Sequence, residues 1–162
     1  MEHKEIKKKA YEHFESGFHC AEVISKTTLE MFSDEPHTDV VRSASGFGGG
    51  IAGSMEEMCG AFTGGVLAAG YLLGNEDRSV SFGMITEFKR KFLDKFESLK
   101  CPKLLEAFTE PADCARLTAD ATVILADLLN GYGLENEMTP DIFLSREGGK
   151  GELEDCPFRK SA

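Results

Sequence analysis

Apolar residues in this chain recur every three or four positions, and no segment sustains the alternation of a β-strand. The stretch from about 80 to 99 shows this best: Ile85, Phe88, Phe92, Phe96 and Leu99 fall on one helix face. The same spacing predicts helices over about 3–15, 19–32, Cys59–Leu73 and 112–130. The last carries Leu117, Ala121, Ile124, Leu125 and Leu128 on its buried side. Two short helices are added, one capped by Thr38 and one opening at Cys101-Pro102, where proline suits the first turn. The expectation is all-α: a single-domain bundle of about five to seven helices over residues 1–130. An irregular, acidic and glycine-rich tail is expected over 131–162, with one short turn near Asp141–Leu144.

A chain of 162 residues can bury a core of ordinary size without disulfide staples. The formal net charge of −10 argues against a nucleic-acid partner, which needs clustered cations. Lys4, Lys7, Lys8 and Lys9, and Lys89, Arg90 and Lys91, read as solvated helix faces. The longest apolar stretch, Met58 to Gly74, falls just short of a membrane span and contains five glycines, so a buried helix is expected there. The N-terminus lacks the apolar core of a secretory signal, and a cytoplasmic protein is expected.

The chemistry is expected at cysteine. The chain has five, too widely spaced for a Cys-x-x-Cys motif and odd in number, which does not describe a disulfide framework. Four of them, Cys20, Cys59, Cys101 and Cys114, fall within about one turn of a predicted helix start and extend its apolar stripe. Unpaired N–H groups and the helix dipole favour anions at such places, and a thiolate is an anion. If the four starts converge, they make an electropositive pocket lined with sulfur. The opposing view is that buried cysteine simply fills cores as a small hydrophobe. Core filling, however, has no reason to select first turns.

Cys59 follows the glycine-rich segment Gly46–Gly53, which is expected to run beside it as a wall of the site. Its helix start is expected to favour a Cys59 thiolate and to make it the most sensitive cysteine. Gly60 and Gly64 are the candidate cofactor contacts, since Gly64, Gly65 and Gly70 leave a groove for a helix or a cofactor. Gly48–Gly53 matches G-x-G-x-x-G formally, but no strand precedes it, and a dinucleotide site is rejected. His19 is expected to be exposed, His3, His13 and His37 lack ligand spacing, and Cys156 is read as an incidental thiol.

Gly17-Phe18-His19-Cys20-Ala21-Glu22, the segment Gly46–Gly65, Cys101 and Cys114 together resemble the C_GCAxxG_C_C family of putative redox-active proteins. The family label writes Gly-Cys-Ala where this chain has Cys59-Gly60-Ala61, so the resemblance rests on the whole pattern over about residues 10–130. It implies a redox role without naming a substrate.

Three functions follow. The first is electron transfer through an iron–sulfur or other metal centre held by Cys20, Cys59, Cys101 and Cys114, with structural zinc as the closed alternative. The second is thiol–disulfide exchange by two of the four, and the third a non-catalytic helical binding module. A redox partner protein is expected without being identified. The sequence does not decide between a monomer and a homo-oligomer, or whether the chain is an enzyme.

Overall fold

A computed structural model describes residues 1–74, 78–110 and 112–134. Among these, the chain forms seven α-helices: α1 His3–Glu15, α2 Cys20–Phe32, α3 Thr38–Ser43, α4 Gly60–Leu73, α5 Arg78–Phe96, α6 Cys101–Leu105 and α7 Ala112–Leu134. A 3-10 turn, Ala44–Phe47, extends α3. The bundle is all-α, as the spacing predicts. No helix among the described residues is long and apolar enough to cross a membrane.

The core follows from two four-residue stripes. Val80, Met84, Phe88 and Phe92 face inward from α5, and Leu117, Ala121, Leu125 and Leu129 from α7. Residues four apart share a helix face, so each stripe is continuous. Phe62 of α4 completes an aromatic cluster, stacked on Phe88 at 5.5 Å and edge-on to Phe92 at 5.6 Å. Burying side chains of this size stabilises the fold by about 1.5–3 kcal/mol each. At the rim, Asp120 of α7 binds Lys7 of α1 at 2.6 Å and Lys95 of α5 at 2.9 Å.

Helix α4 packs most extensively on α2, and glycine decides how closely. A Cβ on Gly64 would lie 2.3 Å from the Ala21 carbonyl oxygen and 2.7 Å from Ala21 Cα. The Ser25 hydroxyl donates to both Ala21 O and Gly64 O, locking the crossing. Gly65 admits the Phe88 ring instead, while Gly70 faces open space. The groove expected along α4 is therefore occupied by helix packing at Gly64 and Gly65.

Three boundaries differ from expectation. Helix α5 ends at Phe96 rather than near 99, because Glu97 turns into the left-handed region at φ 63°. Leu99 still packs against the core from outside the helix. Helix α7 continues through Gly131 to Leu134, so the first residues of the expected tail are helical. His37, not Thr38, occupies the cap of α3. The turn near Asp141–Leu144 and Cys156 lie outside the described residues. Glu97→Gly should raise stability by about 1 kcal/mol, because glycine adopts positive φ without strain. Urea unfolding would check it.

Candidate functional site

Each of the four cysteines sits at the start of a different helix. Cys20 is the first residue of α2 and Cys101 the first of α6; Cys59 caps α4, and Cys114 lies in the first turn of α7. All four are free thiols; Cys20 and Cys59 are buried, Cys101 and Cys114 half-buried.

Local backbone pairing brings Cys59 and Cys101 together. The Cys59 N–H donates to Leu99 O at 2.7 Å and the Cys101 N–H to Glu57 O at 2.8 Å. These bonds frame an antiparallel bridge between Met58 and Lys100. In such a pair, side chains alternate across the ribbon. Cys59 and Cys101 therefore leave on the same side, opposite to Met58 and Lys100. The left-handed turn at Glu97 is what reverses the chain into this bridge.

The glycine-rich segment closes the site from the other side. Gly49, Gly50, Ile51, Ala52 and Gly53 all have positive φ, and Met55 does as well. Within this loop Ala52 N–H donates to Gly46 O, Gly53 N–H to Gly48 O, and Met55 N–H to Gly49 O. The Gly49 N–H also points at the Cys20 sulfur. A Cβ on Gly50 would lie 2.8 Å from Cys101 Cβ, and one on Gly60 would lie 2.4 Å from the Cys20 sulfur. The segment thus forms a wall, as expected, but it lies against Cys20 and Cys101, with Gly60 as its neighbour beside Cys59.

The electrostatics centre on Cys20. Its thiol is lowered to about 6, chiefly because the Cys114 thiol donates a hydrogen bond to the thiolate. Burial opposes this, while the N–H groups of Gly49 and Ala21 and the charge of His19 assist. Cys114, as the donor, is pushed far up by that bond, by burial and by the other sulfurs. Cys101 is raised by burial and the Cys20 charge. Cys59 is pushed up to about 12 by burial and then by Cys20, although the amides of Ala61 and Phe62 favour its thiolate. Cys59 is therefore not the favoured thiolate, contrary to the expectation from its helix start. Desolvation and a neighbouring negative sulfur outweigh two N–H donors.

His19 was undervalued by its sequence position. It caps α2, its amide donating to Glu22 Oε2 at 3.1 Å. Its Nε2 lies 3.0 Å from Ser45 O and 3.2 Å from Glu22 Oε2. A Cβ on Gly48 would collide with the His19 ring at 2.2 Å, so the ring lies directly on the glycine loop. The available signal was Glu22, three residues after His19, which is capping-box spacing. His3, His13 and His37 pair elsewhere, with Asp127, Glu30 and Ser33 respectively.

Among the described residues, no three His, Cys, Asp or Glu side chains are spaced to hold a single metal ion. A zinc–sulfur bond of about 2.3 Å requires tetrahedral sulfurs to stand roughly 4 Å apart. Four cysteines from four helix starts without that close spacing suit a larger group or a dithiol pair better than a zinc cage.

Fold and site together define a small helical protein with a half-enclosed four-cysteine centre. The chain belongs to the C_GCAxxG_C_C family, described as "Putative redox-active protein (C_GCAxxG_C_C)", which matches it over residues 18–128. That span contains all four of these cysteines and omits α1 entirely. No match to a curated protein or to a solved structure was found.

Proposed function

We propose that this chain is an electron-transfer protein whose four cysteines, Cys20, Cys59, Cys101 and Cys114, ligate an iron–sulfur cluster. The observation that carries this reading is the placement of Cys20, Cys59, Cys101 and Cys114 at the starts of four different helices, with Cys20 only 6% exposed. Reactive cysteines in exchange chemistry are partly exposed. A ligand sulfur is not required to be. Four thiolates are the usual ligand set for such clusters, and their wide spacing in sequence is bridged by the fold. When bound, the cluster would store an electron. The N–H groups of Ala21, Gly49, Ala61 and Phe62 favour negative charge on Cys20 and Cys59. They would therefore raise the potential of the centre. Gly60 leaves room for the Cys20 sulfur, whereas Gly64 acts through helix packing.

One contact favours a second reading. The Cys20–Cys114 hydrogen bond pairs a thiolate with a thiol, the starting point of a disulfide. Forming that bond releases the Cys114 proton and two electrons. Both readings suit a reducing compartment. The binding-module reading gains no support from a cysteine held as its thiolate.

Anaerobic purification followed by iron, sulfide and absorption measurements tests the proposal. Iron and sulfide in comparable amounts, lost in Cys20→Ser and Cys59→Ser but kept in Cys156→Ser, are expected. A colourless, iron-free protein in which mild oxidation links Cys20 to Cys114 would shift the assignment to the dithiol. A protein with neither property would overturn both.

A further inference from the structure

The last residue of the 3-10 turn and the loop from there to α4 hold three large apolar side chains that face water. Phe47 and Ile51 are each 37% exposed and Met55 is 56% exposed. Two of the three are also held at positive φ, Ile51 at 64° and Met55 at 61°. A side chain in the left-handed region is unfavourable, most clearly when β-branched. Glycine, already used at Gly49, Gly50 and Gly53, would remove that strain. Neither backbone preference nor core packing therefore accounts for isoleucine and methionine here. Exposed apolar side chains held in strained backbone point to a contact surface.

The same loop is in touch with the centre. Its Gly49 N–H reaches Cys20, and Gly50 packs on Cys101. A protein seated on Ile51 and Met55 would be separated from the sulfurs by one loop. The loop also carries two exposed acids, Glu56 and Glu57, with Lys100 the exposed cation across the Met58 bridge. With a net charge of −10 behind it, this surface complements a positive rim.

We propose that the loop from Phe47 to Glu57 is the docking surface for an electron-carrier protein that presents an apolar patch ringed by Lys and Arg. This rests on the redox reading above. The probe is ferricytochrome c, a basic carrier whose ferric haem takes one electron. A metal centre supplies that electron singly; the Cys20–Cys114 couple would supply two, to two haems, and release one proton as the disulfide forms.

The experiment mixes the anaerobically reduced protein with ferricytochrome c, and separately with ferricyanide, which needs no docking surface. The variant is Ile51→Asn with Met55→Asn, since asparagine tolerates positive φ. Ile51→Gly with Met55→Gly is the alternative if the first is not folded. The cytochrome rate should fall about tenfold or more, with the ferricyanide rate changed less than about twofold. The wild-type cytochrome rate should also drop steeply as salt rises, because opposite charges steer the encounter. Equal effects on both oxidants, an unchanged cytochrome rate, or salt independence would overturn the proposal. So would a wild-type dimer that the variant disperses in sedimentation, which would assign the loop to a second copy of the chain. If neither reagent oxidises the wild type, the redox reading fails and the docking surface with it.

Discussion

Replacing Gly64 with alanine should destabilise the protein by about 3 kcal/mol, the largest effect expected of any single methyl group added to it. The added carbon would meet Ala21 O at 2.3 Å and Ala21 Cα at 2.7 Å. Both are backbone atoms in the first turn of α2, so no side-chain rotation relieves the overlap. The two helices must separate, which also breaks the Ser25 bond to Gly64 O, now 3.1 Å. Because α2 and α4 carry Cys20 and Cys59, the separation should disturb the thiols as well. Gly70→Ala is the contrasting case. Nothing lies within 4 Å of its Cβ position, and alanine in a helix interior is favoured over glycine by about 0.5–1 kcal/mol. Denaturant unfolding of the pair should give shifts of opposite sign. Equal shifts would mean that the α2–α4 contact is looser than the geometry states.

In the reduced protein without a bound group, one thiolate should appear near pH 6, measured by ultraviolet absorbance in a Cys156→Ser background, and no second one before pH 9. Cys20 supplies the first, held down by the Cys114 thiol, while Cys59, Cys101 and Cys114 are all raised. Cys20→Ser should abolish the step. Cys114→Ala should move it upward toward the ordinary thiol range, because the strongest donor to the thiolate is gone. The sign for stability follows by linkage. A thiol whose folded value lies below its unfolded one stabilises the fold above the unfolded value, and the contribution fades as pH falls through the folded value. Stability from Cys20 should therefore increase between about pH 6 and 9. Raised thiols act oppositely: Cys59 should destabilise the fold from about pH 9 up to about 12. A pH-independent unfolding midpoint across pH 6 to 9, or an absorbance step that survives in Cys20→Ser, would place the thiolate elsewhere.

The helices were legible because their packing repeats at fixed spacing. Phe88 and Phe92, or Leu117 and Ala121, can be assigned to one face from sequence separation alone. The helix starts at Cys20, Cys59, Cys101 and Cys114 were legible for the same reason, with Pro102 marking one of them. What escaped was set by backbone dihedrals and by long-range pairing. Nothing in the side chains of Ile51, Met55 or Glu97 announces a positive φ, since each disfavours it. The Met58–Lys100 bridge joins segments with no local signal for a strand. The choice of Cys20 over Cys59 as the thiolate depends on which sulfur receives Cys114, a fact of tertiary placement.

Because no two of the four sulfurs share a helix, anything that joins them also ties distant parts of the chain. A link between Cys20 and Cys114 would close a loop of roughly a hundred residues, which in the chain-entropy treatment removes about 4.7 kcal/mol of freedom from the unfolded ensemble. A link through Cys59 and Cys101 as well would divide that loop into shorter ones. The centre would then act as a four-way knot in the polymer. Gain or loss of whatever joins the sulfurs would be read directly as a change in how readily α2, α4, α6 and α7 come apart.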